Sequence, residues 1–164
     1  MEPPREKPHR LPRERYLGEQ TVAFTTCLEN RYPLFVEERR PTEFAKILIE
    51  ETERHECELV IACFMPDHLH VLAKGRTASS DALAAFYRFK LRTGIQLDRF
   101  CRPAKWQKDL YDHIARYGHD WRSQARYIAH NPLRAGLVEE PLEYPYIYSS
   151  MGDQKQVLYD IYWG

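Results

Sequence analysis

Two apolar runs stand back to back in the middle of the chain, at residues 58–65 and 68–74, with only Pro66-Asp67 between them. Residues such as Val, Ile and Phe suit a pleated, half-buried surface, and Pro66-Asp67 is a turn signal. A connector this short makes the two runs pair antiparallel, so the chain must build a sheet around this hairpin. The second run opens His68-Leu69-His70. Side chains two residues apart on a strand point to the same face. Two imidazoles so placed can share one metal ion, or can simply be a half-exposed pair; His nitrogen is the commonest protein metal ligand.

The other elements follow from pattern. Residues 20–28, with Val22, Phe24, Thr25, Thr26 and Cys27, predict a strand, and Asn30-Arg31-Tyr32-Pro33 a turn. Thr42 is suited to N-cap a helix carrying Phe44, Ile47, Leu48 and Glu51 to about His55. Asp81 opens a second helix with Leu83, Phe86, Tyr87, Lys90 and Leu91 at helical spacing, fading between Gly94 and Phe100. Residues 105–107 suggest a brief edge strand, and 111–117 and 121–131 read as helices broken around Gly118. Beyond Gly136 come a Pro-containing loop and an aromatic terminal stretch. Strand–helix–strand–strand–helix–strand is an α+β, ferredoxin-like order, an antiparallel sheet with helices on one face. Residues 1–18 read as a flexible basic arm, 19–150 as one domain and 151–164 as a tail.

Composition excludes some classes of function. No apolar run approaches the eighteen or so residues of a membrane span, and no signal-peptide segment opens the chain. Cys27, Cys57, Cys63 and Cys101 lack CxxC or zinc-finger spacing, so the expectation is reduced, mostly buried thiols in a cytoplasmic protein. The formal net charge is zero, which is unusual for a chain that tracks phosphates. Its distribution is uneven, however. Between Tyr87 and Arg134 there are eleven Lys and Arg against four Asp and no Glu, with the acids concentrated elsewhere. That half of the chain can present a basic face to nucleic acid, or an ordinary solvated helix surface.

A second motif lies some sixty residues after the histidines: Arg126-Tyr127-Ile128-Ala129-His130-Asn131-Pro132-Leu133-Arg134-Ala135-Gly136-Leu137-Val138. Tyr127 and Asn131, four apart, share one helix face, just before a proline expected to end the helix. Together with the stretch from Phe64 to Ala73 ("FMPDHLHVLA") and "WQKDLYDHIAR", this resembles the HUH single-tyrosine transposases, most closely the bacterial REP-associated tyrosine transposases. The likeness covers most of the chain, and the combination carries it rather than any single piece.

The resemblance implies a metal-dependent single-strand DNA endonuclease and strand transferase acting on REP-type hairpins through a 5′-phosphotyrosine at Tyr127. It implies His68, His70 and Asn131 as ligands for Mg²⁺ or Mn²⁺, a mixed N and O set. The expected partners are single-stranded DNA and DNA hairpins, no membrane, with the chain a monomer or homodimer associated with the nucleoid. Candidate DNA contacts are Arg88, Lys90, Arg92, Lys105, Lys108, Arg126 and Arg134. Tyr111 is the rival nucleophile, lacking a ligand one helical turn later because Ala115 stands there. Asp67 either orients a histidine or caps the turn, the turn being the expected role. Two other functions fit parts of the pattern: a domesticated relative that holds hairpins without cutting, and an unrelated metal hydrolase, which would want more acids near the histidines.

Overall fold

A computed structural model describes residues 11–114 and 121–164. The basic residues Arg5, Lys7, His9 and Arg10 of the expected arm, and Gly118 of the expected helix break, lie outside the described residues. The strands are β1 (Thr21–Cys27), β2 (Cys57–Met65), β3 (His68–Gly75), β4 (Tyr111–Ile114) and β5 (Ile147–Tyr148). The helices are α1 (Arg39–Arg54), α2 (Ala82–Phe100), α3 (Trp121–Ala129), α4 (Asn131–Arg134) and α5 (Gln154–Trp163). One antiparallel sheet runs β4-β1-β3-β2-β5, centred on the hairpin arms and β1.

The α1/α2 face has the expected ferredoxin-like layering. β1 alternates half-buried and buried positions along its length, sending Val22 and Phe24 into a core with Phe44, Leu48, Phe86 and Phe89. Leu69, Val71 and Ala73 of β3 face the same core. Phe24 stacks on Phe86 with centroids 4.5 Å apart. Trp106, buried here, satisfies its indole N–H on Thr93 Oγ1 at 2.9 Å, as a buried indole must. Each fully buried aromatic contributes about 1.5–3 kcal/mol. Asp81 caps α2 by accepting from the Ala84 N–H at 2.9 Å, and the helix continues through Gly94 to Phe100.

The C-terminal helices add a layer on the opposite face. Ala125, Ile128 and Ala129 of α3 pack with Leu158, Ile161 and Tyr162 of α5 against Ile61, Cys63, Met65 and Leu72. Residues 154–163 thus form a helix whose apolar side is buried. A bulge in β2 moves the register from Leu59↔Ala73 to Ile61↔Leu72, and both Val60 and Ile61 join the second core. Ser150 ties the bulge down, its Oγ accepting from the Leu59 N–H at 2.9 Å.

Three local expectations change. Residues 111–114 are the edge strand β4 paired to β1, not a helix; without them β1 would be an open sheet edge. Residues 105–107 contribute a single bridge, Leu28↔Trp106. Pro132 does not end the helical path: it sits in the first turn of α4, where a missing N–H costs nothing.

Candidate active site

The histidines lie on the sheet face covered by α3 and α5. Their neighbours Leu69 and Val71 are committed to the α1/α2 core, so His68 and His70 turn the other way, alongside Leu72. Register sets what stands beside them: Cys27 and Met65 flank His68, and Thr25 and Cys63 flank His70. The two rings meet edge to face, with centroids 4.9 Å apart.

Each ring is held from behind. His68 Nδ1 is 2.6 Å from Asp67 Oδ1, and His70 Nδ1 is 2.9 Å from Thr25 Oγ1. Asp67 is itself braced by Arg31 at 3.5 Å, a residue in the left-handed region at φ 52°. The Asp67 carboxylate only accepts, so His68 carries its proton on Nδ1 and its lone pair on Nε2, the tautomer a metal ligand needs; the Thr25 hydroxyl supports the same tautomer in His70 when it accepts from Nδ1. Burial, then the neighbouring His68 and Arg134, push His70 down to about 4. His70 is therefore neutral at physiological pH.

The second motif arrives over this face. Ala125, Ile128 and Ala129 are the buried stripe of α3, and their spacing leaves Tyr127 outward, 64% exposed. His130 continues the path with helical dihedrals into α4, so Asn131 follows Tyr127 by one turn, as the spacing predicted. Gly136, at φ 72°, closes the segment, a conformation glycine adopts freely.

Arg134 links the parts. Its guanidinium carbon lies 4.0 Å from the centroid of the Tyr127 ring, and its Nη2 donates to the Tyr127 carbonyl at 2.8 Å and to Asn131 Oδ1 at 2.7 Å. Asn131 Nδ2 is buried without a hydrogen-bond partner among the described residues. Tyr111, the rival, sits on β4 opposite Thr25, in the same cross-strand row as His70 but two strands away, roughly 10 Å at ordinary strand spacing.

The donor set fits a divalent ion. Two imidazoles with oriented Nε2 atoms supply nitrogen, and Asn131 Oδ1 keeps one lone pair after the Arg134 bond. Among the described residues no three His, Cys, Asp or Glu side chains form a group that could hold a metal ion. Cys63, beside His70, is an inert neighbour, its thiol pushed up to about 12 by burial.

The proposed DNA contacts divide by what they already do. Arg88, Lys105 and Lys108 are exposed. Lys90 donates to the Gln107 carbonyl at 2.9 Å. Arg92 is engaged by Glu50 and the buried Glu51 at 2.8 and 2.9 Å. Arg126 donates to the Ile161 carbonyl at 2.9 Å, stapling α3 to α5. Thr25 looks like any β-branched strand residue in the sequence, and Asp67, expected to cap the turn with orienting a histidine as the alternative, holds His68. Only strand register brings Thr25 to His70.

An antiparallel α+β sheet with an outward His-x-His pair under a tyrosine-bearing helix defines the HUH transposase fold class. The family described as "Transposase IS200 like" matches residues 18–112, more than half of the chain, and the chain belongs to that family. The match contains both histidines and stops short of Tyr127. A curated relative from Haemophilus influenzae, named "Putative REP-associated tyrosine transposase", is 26% identical over 152 residues, covering 86% of this chain and 85% of its own length. A solved structure described as a REP-associated tyrosine transposase bound to a REP hairpin superposes with a TM-score of 0.73 at 22% identity, covering 97% of this chain and 92% of that one. The fold is therefore shared along nearly the whole length. Among the described residues no helix is long and apolar enough to cross a membrane.

Proposed function

We propose that this chain is a metal-dependent single-strand DNA endonuclease and strand transferase that acts on hairpin DNA of the REP type. The observation that carries the reading is the pairing of two histidines, each held at Nδ1, with an exposed tyrosine one turn before an asparagine on the helix above them. His68, His70 and Asn131 would hold Mg²⁺ or Mn²⁺. When bound, the ion would polarise the scissile phosphate and offset its developing charge.

The Tyr127 oxygen forms the bond to phosphorus, the phenolic proton passes to solvent, and the 3′-oxygen leaves and is protonated. The products are a 5′-phosphotyrosine and a free 3′-hydroxyl. The covalent bond conserves the energy of the broken linkage, so the reverse attack by a 3′-hydroxyl rejoins a strand without a nucleotide cofactor. Arg88, Lys90, Lys105 and Lys108 contact phosphates in this reading. The Arg92 and Arg126 guanidinium groups stay with their protein partners.

The test is a labelled hairpin with single-stranded flanks, incubated with protein and Mn²⁺ and resolved under denaturing conditions. A DNA–protein adduct that maps by peptide analysis to Tyr127 is the expected result. Tight hairpin binding with no adduct at any metal concentration would replace this reading with that of a non-cleaving hairpin binder.

A further inference from the structure

We propose that Arg134 is a positioning residue of this site, holding the Tyr127 ring and the Asn131 carbonyl oxygen in one arrangement rather than serving only as a phosphate contact. The inference rests on Tyr127 being the nucleophile. Tyr127 is largely exposed, so packing against the core does not orient its ring. The flat guanidinium at 4.0 Å supplies the missing contact.

Asn131 is in the opposite situation. Its Nδ2 is buried with no partner among the described residues, so the hydrogen bond from Arg134 to Oδ1 at 2.7 Å sets which way the amide faces. A third contact, to the Tyr127 carbonyl at 2.8 Å, fixes the guanidinium against the end of α3. One planar, multi-donor group thus governs both functional side chains of the motif. A lysine carries the same charge as a compact point on a flexible stem and cannot lay a flat face on the Tyr127 ring while donating to both oxygens.

Arg134→Lys separates the two roles, because it keeps the charge and removes the planar group that lies on the Tyr127 ring. Three quantities are read: the rate of adduct formation at saturating hairpin, the hairpin Kd, and the affinity of the DNA-free protein for Mn²⁺ from the free-ion EPR signal. Positioning predicts an adduct rate down by at least about tenfold, since small misplacements of reacting groups cost that much or more. It also predicts Mn²⁺ affinity down by about tenfold, as for other lost ligand-orienting bonds, with hairpin Kd within about threefold of wild type.

Arg134→Ala should show the same loss of rate together with weaker hairpin binding and a salt slope reduced by about one ion. Thermal melts of both variants check that the exposed α4 substitution leaves the fold intact. An Arg134→Lys protein with the wild-type adduct rate at saturation and wild-type Mn²⁺ affinity overturns the proposal, whatever its Kd. A wild-type protein whose adduct does not map to Tyr127 overturns the nucleophile reading and this inference with it. A wild-type adduct on Tyr127 with an unaffected Arg134→Lys variant overturns this inference alone.

Discussion

Removing the hydrogen-bond partners behind the histidines, and not the histidines themselves, is the sharpest test of the proposed metal site. Thr25→Val replaces one hydroxyl with a methyl group on a strand that favours β-branched residues, so the backbone of β1 has no reason to move. The bond lost is Thr25 Oγ1 to His70 Nδ1 at 2.9 Å, at a partly buried position. One such bond contributes about 1 kcal/mol to folding, which is roughly 2–4 °C in Tm for a domain of this size. Its effect on the metal is larger, because an unheld imidazole samples both tautomers and a range of ring orientations. Loss of an outer-shell partner of this kind costs about 10–100-fold in affinity, or roughly 1.4–2.7 kcal/mol. Asp67→Ala removes the acceptor at 2.6 Å from His68 Nδ1 and should cost a similar factor. The two rings are neighbours, with centroids 4.9 Å apart, so the double variant should depart from simple additivity. Free-ion EPR of Mn²⁺ titrations, with circular dichroism melts in parallel, measures both quantities. If His68→Ala and His70→Ala abolish Mn²⁺ binding while Thr25→Val and Asp67→Ala bind like wild type, the claim that these partners orient the ligands is refuted.

Three further outcomes follow from the same geometry. Tyr127→Phe should eliminate the covalent adduct while Tm and hairpin affinity stay near wild type, since the exposed side chain loses one oxygen and keeps its ring under Arg134; Tyr111→Phe should still form the adduct, and the opposite pattern would move the nucleophile to β4. Because His70 is pushed down to about 4 in the folded protein against an ordinary value near 6.5, the unfolded chain takes up its proton first. The contribution is intact above pH 6.5 and falls away between pH 6.5 and 4 by at most about 3 kcal/mol; urea unfolding at pH 7 and pH 4.5 should show a smaller drop in His70→Gln than in wild type. Arg92→Met should destabilise by about 3 kcal/mol, since Glu51 is buried and would keep the Arg54 contact at 3.0 Å and a longer approach of His55 at 3.9 Å, while the salt slope of hairpin binding should not change.

The elements readable in advance were those whose signal is local. The hairpin, β1 and the first two helices announce themselves through alternation or helical spacing, and the histidine pair through spacing along one strand. What escaped depends on distant partners. β5 is two residues long and exists because β2 offers it an edge at Ala62 and Cys63. Tyr111 looks helical in isolation and becomes a strand residue only against Phe24 and Thr25. Arg92 reads as one of a run of solvent-facing cations, because Glu50 and Glu51, which engage it, are more than forty residues earlier. The aromatic C-terminal stretch likewise gives no hint that Tyr162 is buried, with its hydroxyl donating to the Ala129 carbonyl.

The same distinction explains why the site assembles at all. His68 and Tyr127 are 59 residues apart in the chain, and no motif can enforce their approach; two apolar surfaces do. On β3, Leu69, Val71 and Ala73 are claimed by the α1/α2 core, and a slip of one residue would drive the histidines into that core and turn those three to the α3/α5 face. That commitment turns His68 and His70 toward the opposite face. There Leu72, with Val60 and Ile61 at the β2 bulge, forms the surface on which Ala125, Ile128 and Ala129 settle. The small alanines let the α3 backbone approach closely, and the helical period then places Tyr127 on the solvent side and Asn131 one turn on. Catalytic placement in this reading is a by-product of core packing. Enlarging Ala125 to Leu should therefore lift α3 from the sheet and impair adduct formation more than hairpin binding, although Ala125 touches neither DNA nor metal. Equal loss of both activities would mean that the substitution unfolded the layer rather than displaced it, and a melt would show it.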